Sequence, residues 1–389
     1  MTAVARIEVL TAELAFRFSF GHARAARRSS TNVYVRLHLD DGTIGHGEGV
    51  PREYVTGETV QTAVSALQDL GPQLVGRQVA GPDEVPAVFE DAVGHAATAR
   101  EGPPPLAARC ALELAYLDAC GRRFGRSVRS WLAERGVTDL RYDAVIPFAP
   151  PGVLAALAVV VRVAGPPKVK VKVGGDLDTD LRALGILRRV LGPSADIRVD
   201  ANAAWTAEEA ITAIGRMRRF GVRAVEQPVA ADDHEGLRRV TAAVPEDIIV
   251  DESLRTVQEA TTLAEGRACD AFNIRVSKCG GLLHSMRIAR IAAEHGLDIV
   301  VGAQVGESGI LSAAGRQLAA SIGAPRYLEG SAGRLLLRHD LTRESVMPGW
   351  RGRAPAFSGP GLGVEVDGDV LRRYGRVVGT SEARTAGSG

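Results

Sequence analysis

The 389-residue sequence is short of several things, and each shortage excludes something. Its four cysteines, Cys110, Cys120, Cys269 and Cys279, show neither CxxC spacing nor the density of a disulfide framework. With 46% hydrophobic residues a chain of this length buries a core without staples, so reduced thiols are expected. Charge of one sign is lacking as well: 47 basic against 46 acidic residues leave a net +1. No whole-chain field favours nucleic acid or an anionic membrane, and a small molecule is the expected partner. Long apolar runs are missing too. The longest, Val153 to Val161, falls far below the ~20 residues that span a bilayer, and no charged segment followed by an apolar one opens the chain. A cytoplasmic location is expected.

What is present falls into two rhythms. Ala3 to Leu10 and Asn32 to Leu39 alternate as strands do, and Asp40-Asp41-Gly42 marks a turn before Thr43 to Glu48. That predicts an antiparallel meander. Helical patterning follows from Gly57 to about Arg135, including the Ala/Leu-rich Ala107 to Tyr116 after the break at Pro103-Pro104-Pro105. From about Leu140, short β-branched runs alternate with amphipathic stretches. Eight strands are predicted: Tyr142 to Pro147, Val169 to Val173, Ile197 to Asp200, Ala224 to Glu226, Ile248 to Asp251, Ala271 to Ile274, Ile299 to Val301, and Tyr327 to Leu328. A doubly wound sheet would show the same alternation, but it ordinarily places a glycine-rich phosphate turn after its first strand, and none is found. A parallel α/β barrel is the better reading. Gly359 to Val366 reads as a further strand, and Thr380 to Gly389 as a disordered tail.

Three carboxylates each close a predicted strand: Asp200 in IRVDAN, Glu226 in AVEQP and Asp251 in IIVDES. One βα unit separates each from the next, so a barrel would gather them at its C-terminal rim, where barrel enzymes keep their active sites. Acids after strands also serve as helix N-caps, and any one of them alone could be that. Three in register would repel one another unless a hard divalent cation binds them. Oxygen-only ligation favours magnesium over zinc, with manganese as an alternative.

In KVKVKVG, Lys168, Lys170 and Lys172 share one face of a strand. On an exposed edge that face would only be solvated. In a barrel the valines pack outward and the lysines point in, those nearest the C-terminal end approaching the acids. Crowded cations lower one another's proton affinity, and Lys172, last on the strand, is the candidate base. Lys278, after the sixth barrel strand in NIRVSKCGG, would face it across the mouth, with Gly280 and Gly281 permitting a tight helix start.

The ordered set KxKxG, DxN, EQP, DES and SKCGG resembles the mandelate racemase/muconate-lactonizing branch of the enolase superfamily. GHGEG at 45–49, ALELAYLDACG at 111–121 and GPGLGVEVD at 359–367 are similar to that family as well, so the resemblance spans essentially the whole chain. It implies a (β/α)7β TIM-like barrel over residues 136–355, an α+β capping domain over 1–135, and a C-terminal return with a flexible tail over 356–389. Asp200, Glu226 and Asp251 would ligate Mg2+, Lys172 and Lys278 would be acid and base on opposite faces, and Lys170 would help polarise a substrate carboxylate. Asn202 and Glu252 match positions that support the ligand shell; on their own they could be helix caps. Family resemblance also implies a homo-oligomer.

The implied chemistry is abstraction of the proton beside a carboxylate, giving an enediolate. Return of a proton to the other face makes an epimerase or racemase, which is the leading expectation, acting on an amino-acid-like carboxylate. A muconate-type cycloisomerase and a β-elimination lyase of the succinylbenzoate synthase or dehydratase kind use the same residues, and a catalytically silent metal-binding scaffold is the non-enzymatic alternative. Pro51 to Glu58, PREYVTGE, resembles a stretch of dipeptide epimerases, with Tyr54 a candidate substrate contact. The DxD expected after the eighth strand of those enzymes is replaced by Leu328-Glu329-Gly330. Glu329 and Glu307 are candidates to hold a cationic substrate group, or else surface or capping residues. Phe16 to Arg28 matches the substrate-covering loop by position, with its arginines and His22 either solvated or facing substrate.

Overall fold

The computed structural model describes residues 1–22, 25–98, 102–133, 136–323 and 325–383. Its strands are, in chain order, β1 (Thr2–His22), β2 (Ala25–Leu39), β3 (Ile44–Gly49), β4 (Gln78–Val79), β5 (Asp139–Arg141), β6 (Ala144–Ile146), β7 (Lys168–Lys172), β8 (Asp196–Asp200), β9 (Val222–Glu226), β10 (Asp247–Val250), β11 (Ala271–Ile274), β12 (Asp298–Val301), β13 (Tyr327–Leu328), β14 (Arg353–Pro355) and β15 (Gly375–Glu382).

β6 to β13 form one parallel sheet in sequential order, and each of β6 to β12 is followed by a helix that returns the chain. The two end strands are brought together by Asp143, whose N–H donates to Leu328 O at 2.8 Å while its Oδ2 accepts from Leu328 N–H at 3.1 Å. Side-chain parity builds the interior. Ala224, Ile249, Ala271, Val300 and Tyr327 form a small apolar cluster of their own, and two residues further along, four of those five strands turn polar, at Glu226, Asp251, Asn273 and Glu329. Val169 and Val171, on the other face of β7, join the large core that packs sheet against helices.

A second sheet, ordered β15-β1-β2-β3 with β4 on β1, belongs to the N-terminal module. Helix Leu106–Phe124 packs against it, buried along nearly its whole length. The GHGEG and ALELAYLDACG segments meet here. Gly45, Gly47 and Gly49 alternate along β3, and Ala107, Ala111, Ala115 and Ala119 recur every fourth residue along one face of the helix. A Cβ on Gly47 would fall inside the carbonyl of Ala111, and one on Gly49 inside that of Ala107. Glycine is what lets strand and helix touch backbone to backbone.

Three expectations need correcting. Gly359 to Val366 forms no strand, only isolated bridges at Gly361 to Ser127 and Val366 to Thr342; the segment that joins β1 is β15. Thr380 to Glu382, expected to be disordered, lies within β15, and 384–389 fall outside the described residues. Phe16 to Arg28 is a hairpin rather than a loop, with β1 and β2 paired out to His22 and Ala25. Its residues 23 and 24 and the side chains of 20–27, His22 included, fall outside the description.

Candidate active site

The C-terminal ends of β7 to β13 carry a nearly complete ionic network. Lys172 Nζ donates to Asp200 Oδ2 at 2.6 Å and to Asn202 Oδ1 at 2.7 Å. Lys170, fully buried, reaches Glu329 at 2.7 Å, Glu226 at 3.2 Å and Asp200 at 3.4 Å. Lys278 Nζ donates to Asp251 Oδ1 at 2.8 Å, to Asp251 O at 2.5 Å and to Asn273 O at 2.9 Å. The two lysines thus grip the acid cluster from β7 and from the turn after β11. Lys168, the third of its strand, lies at the opposite end, bonded to Arg326 O with its ammonium 4.6 Å from the Tyr327 ring centre.

None of Asp200, Glu226 and Asp251 caps a helix. The helices that follow them take Thr206, Asp233 and Thr256 as N-caps. Asn202 and Glu252 are not caps either. Asn202 bridges Lys172 and Glu252, donating to Glu252 Oε1 at 3.1 Å. Local backbone supports this clustering, since Asn202, Ala203 and Gln227 all adopt positive φ, a cost that a well-determined site sustains. Gln227, the glutamine of EQP, accepts from Asp251 N–H at 2.9 Å and Ser253 N–H at 3.2 Å, tying the end of β9 to the DES turn.

Arg198, Asn273, Arg275 and Gln304 complete the network, and sequence reasoning did not name them. Arg198 pairs with Glu226 at 2.8 Å and with Glu329, and lies 4.4 Å from the Tyr327 ring centre. It sits two residues before Asp200, so strand parity alone would have turned it inward. Arg275 is bonded to Asp251 and lies 3.7 Å from Glu226. Asn273 donates to Glu226 Oε1 at 2.9 Å.

Electrostatics follow from this pairing. Burial pushes Asp200 up, but Lys172 and Lys170 overcome it and hold the carboxyl well below its ordinary range. Asp251 is held low against burial by Arg275 and Lys278. Glu226 is pushed up to about 7 by burial and by Asp200. Glu252 rises to about 8 through burial and then Asp251 and Asp200, and its Oε2 is buried without a partner. Lys170 departs from the expectation that crowded lysines depress one another. Burial disfavours its charge, yet Glu226, Glu329 and Asp200 raise its pKa.

Among the described residues no three acidic, His or Cys side chains already stand in ligand arrangement, because the carboxylates are turned onto ammonium and guanidinium groups. The donor set nevertheless fits a hard divalent cation: three carboxylates on consecutive strands, with the unpartnered Glu252 oxygen among them.

Glu329 is corrected as a candidate for a cationic substrate group. It lies inside the barrel, its charge already paired with Lys170 and Arg198. Glu307 stands at the rim after β12, and Tyr54 lies half-exposed on the single helical turn Glu53–Thr56. All four cysteines are free and buried, and among the described residues no helix is long and apolar enough to cross a membrane.

Residues 153–370 match the family described as enolase C-terminal domain-like, and residues 6–132 match the mandelate racemase/muconate lactonizing enzyme N-terminal domain. Among solved structures, the chain is similar to a dipeptide epimerase from Enterococcus faecalis V583 complexed with Mg and the dipeptide L-Leu-L-Tyr, with TM-score 0.85, 25% identity and coverage of 93% of this chain and 99% of that one. An N-succinyl Arg/Lys racemase from Bacillus cereus gives TM-score 0.88 at 26% identity, covering 98% and 100%. A muconate lactonizing enzyme from Pseudomonas fluorescens complexed with muconolactone gives 0.87 at 27%, covering 96% and 100%.

Proposed function

Because this chain belongs to the mandelate racemase/muconate lactonizing enzyme branch of the enolase superfamily, we propose that it is an isomerase that moves a proton on and off the carbon beside a substrate carboxylate, as an epimerase or racemase of an amino-acid-like acid. One observation carries this reading. Two ammonium groups, Lys172 Nζ and Lys278 Nζ, approach the acid cluster from separate strand ends, 2.6 Å from Asp200 and 2.8 Å from Asp251.

Asp200, Glu226 and Asp251 would hold magnesium, with Glu252 and Asn202 bracing the shell. When bound, the ion neutralises charge that develops on the substrate carboxylate. The remaining work falls to this chain's own residues. One lysine takes the α-proton from its face and the other returns a proton to the opposite face, so the stereocentre inverts. Lys170, held cationic by three carboxylates, adds a fixed positive charge beneath the position where negative charge builds, which is stabilisation that needs no reorganisation. Gln227 keeps Asp251 in register, and the Lys170–Arg198–Glu329 layer closes the barrel beneath.

Incubation with candidate N-acyl amino acids and dipeptides in D2O with Mg2+ tests the proposal. Deuterium is expected at the α carbon, abolished by a chelator and restored by magnesium. Lys172→Ala and Lys278→Ala should each stop exchange from one stereoisomer. Undiminished exchange in both variants would refute the lysine assignment. The similarity to a muconate lactonizing enzyme favours cycloisomerisation as a second reading; an unsaturated or lactone product in place of an epimer would establish it.

A further inference from the structure

Among the carboxylates at or below the barrel mouth, Asp200, Glu226, Asp251 and Glu329 each meet a basic side chain. Asp200 meets Lys170 and Lys172; Glu226 meets Lys170, Arg198 and Arg275; Asp251 meets Arg275 and Lys278; Glu329 meets Lys170 and Arg198. Glu252 and Glu307 form no ion pair among the described residues. Glu252 belongs with the metal-binding acids. Glu307 does not, and the mechanism leaves it without a task.

Glu307 is built into place. Its Oε2 accepts from the Gln304 backbone N–H at 3.1 Å and its Oε1 from the Ser312 hydroxyl at 3.1 Å. The N-terminal module pins the residues on both sides: Arg52 donates to Val305 O at 3.0 Å, Asn32 to Gly306 O at 2.9 Å, and Glu48 accepts from the Ser308 N–H at 2.9 Å and its hydroxyl at 2.7 Å. Oε1 also lies 3.4 Å from where a Cβ on Gly330 would stand, which places the carboxylate between the rims of β12 and β13. A carboxylate offers about four lone-pair directions, and these contacts use two.

Gln304 adds a second, independent sign of a missing ligand. Its side-chain oxygen accepts from Arg275 at 3.3 Å, while its Nε2 is buried with no partner, in a side chain almost wholly enclosed. Buried polar groups in folded proteins are ordinarily satisfied, and this leftover donor, which only an acceptor such as a substrate oxygen can meet, marks the rim beside Glu307 as a place prepared for a polar ligand, while the cationic group falls to the Glu307 carboxylate.

Resting on the proton-transfer reading for the location of the substrate, we propose that Glu307 is a specificity-determining residue that recognises a cationic nitrogen, an ammonium or guanidinium, on the substrate. The substrate class is then a zwitterionic carboxylate with its positive end toward the β12–β13 rim. This assigns to Glu307 the role that Glu329, already neutralised, is unable to fill. The carboxylate is pushed up to about 8 by burial and then by Glu48, against the Gln304 N–H, the Ser312 hydroxyl and the charge of Arg275, with which it forms no ion pair.

Matched ligand pairs that differ by one charge provide the test: L-alanyl-L-alanine against its N-acetyl form, and Nα-acetyl-L-lysine against Nα,Nε-diacetyl-L-lysine. Calorimetry with Mg2+ present is expected to show the charged member of at least one pair binding about tenfold or more tightly to the wild type. In Glu307→Gln that preference should fall to within about twofold, with affinity for the acetylated member unchanged. No charge preference in the wild type, or an equal preference in Glu307→Gln, overturns the proposal. Magnesium titration reports whether the variant rim is folded. If it is not, Glu307→Ala replaces it, and an undiminished preference there overturns the proposal equally. Glu307-dependent binding without α-deuterium exchange would instead sink the proton-transfer reading and leave this one standing.

Discussion

Replacing Glu113 with alanine should disable one face of the site from the other side of a module boundary. Glu113 lies on helix Leu106–Phe124, and its Oε1 accepts from Leu283 N–H at 3.0 Å at the start of helix Leu282–Glu294. That helix has Gly281, with φ 114°, as its N-cap and no side-chain cap of its own, so Glu113 supplies one from outside. It also pairs at 2.8 Å with buried Arg109, which donates to Gly280 O and pairs with Glu90 at 2.5 Å. On the near side of the same turn, Ser277 Oγ accepts from Val50 N–H at 2.8 Å. Lys278 sits between these anchors. Loss of a helix cap costs about 1 kcal/mol, and stranding one member of a buried ion pair costs about 3–5 kcal/mol. Because Glu90 and Gly280 still serve Arg109, the low end applies, and we expect about 3 kcal/mol by urea denaturation. A displacement of ~1 Å at a catalytic group can cost ~100-fold in rate. In D2O, exchange from the stereoisomer served by Lys278 should therefore fall 10- to 100-fold, while exchange on the Lys172 face stays within about threefold. Glu113→Gln, which keeps the acceptor, should recover much of the loss. A stability change below about 1 kcal/mol, or equal slowing on both faces, would show that the clamp does not position Lys278.

Three further outcomes are expected. Gly47→Ala forces β3 off helix Leu106–Phe124, since its Cβ would enter the Ala111 carbonyl, and overpacking of this kind costs ~1–3 kcal/mol or more; an unchanged melting temperature would contradict the backbone contact. His46 is held neutral down to about 4 by burial, then by Arg122 and Arg36. Its folded pKa lies below the unfolded value near 6.5, so its contribution is complete above that pH and is lost as pH falls toward 4, by about 2–3 kcal/mol; the drop in stability between pH 7 and 5 should be smaller in His46→Gln, and an identical drop would exclude His46 as a source. Glu329→Gln leaves Lys170 and Arg198 short of a buried counter-charge and should cost ~3–5 kcal/mol in urea denaturation, whereas a loss under ~1 kcal/mol would mean that water enters the barrel floor.

The barrel was legible because period-two alternation and strand-closing residues are local signals. Every one of the eight predicted barrel strands overlaps an observed one, and Ala271 to Ile274 and Tyr327 to Leu328 have the predicted bounds. β15 was not legible. It is an edge strand exposed or half-exposed along its whole length, so neither face imposes an apolar alternation on GRVVGTSE, and its pairing with β1 comes from the far end of the chain. The Phe16 to Arg28 stretch was expected as a loop from its position in the family pattern, which carries no information about strand pairing.

The candidate site shows the same division between local and distant information. Acids at strand ends reveal negative charge and suggest a cation to relieve it, but they do not reveal how much protein cation stands nearby. Arg198 and Glu329 are bonded across 131 residues of chain, a partnership no local pattern encodes. Parity nevertheless recovers half of it. Counting back two residues from each acid or from Lys172 stays on the inner face and gives Lys170, Arg198, Ala224, Ile249 and Tyr327: two cations toward one side of the barrel and an apolar floor toward the other. The cations on β7 and β8 are drawn toward Glu226 and Glu329, which stand above that floor on β9 and just past β13. Charge in this barrel is therefore organised in layers, a paired lower layer that fixes the geometry and an upper layer in which Lys172 and Lys278 are paired with Asp200 and Asp251 at the mouth.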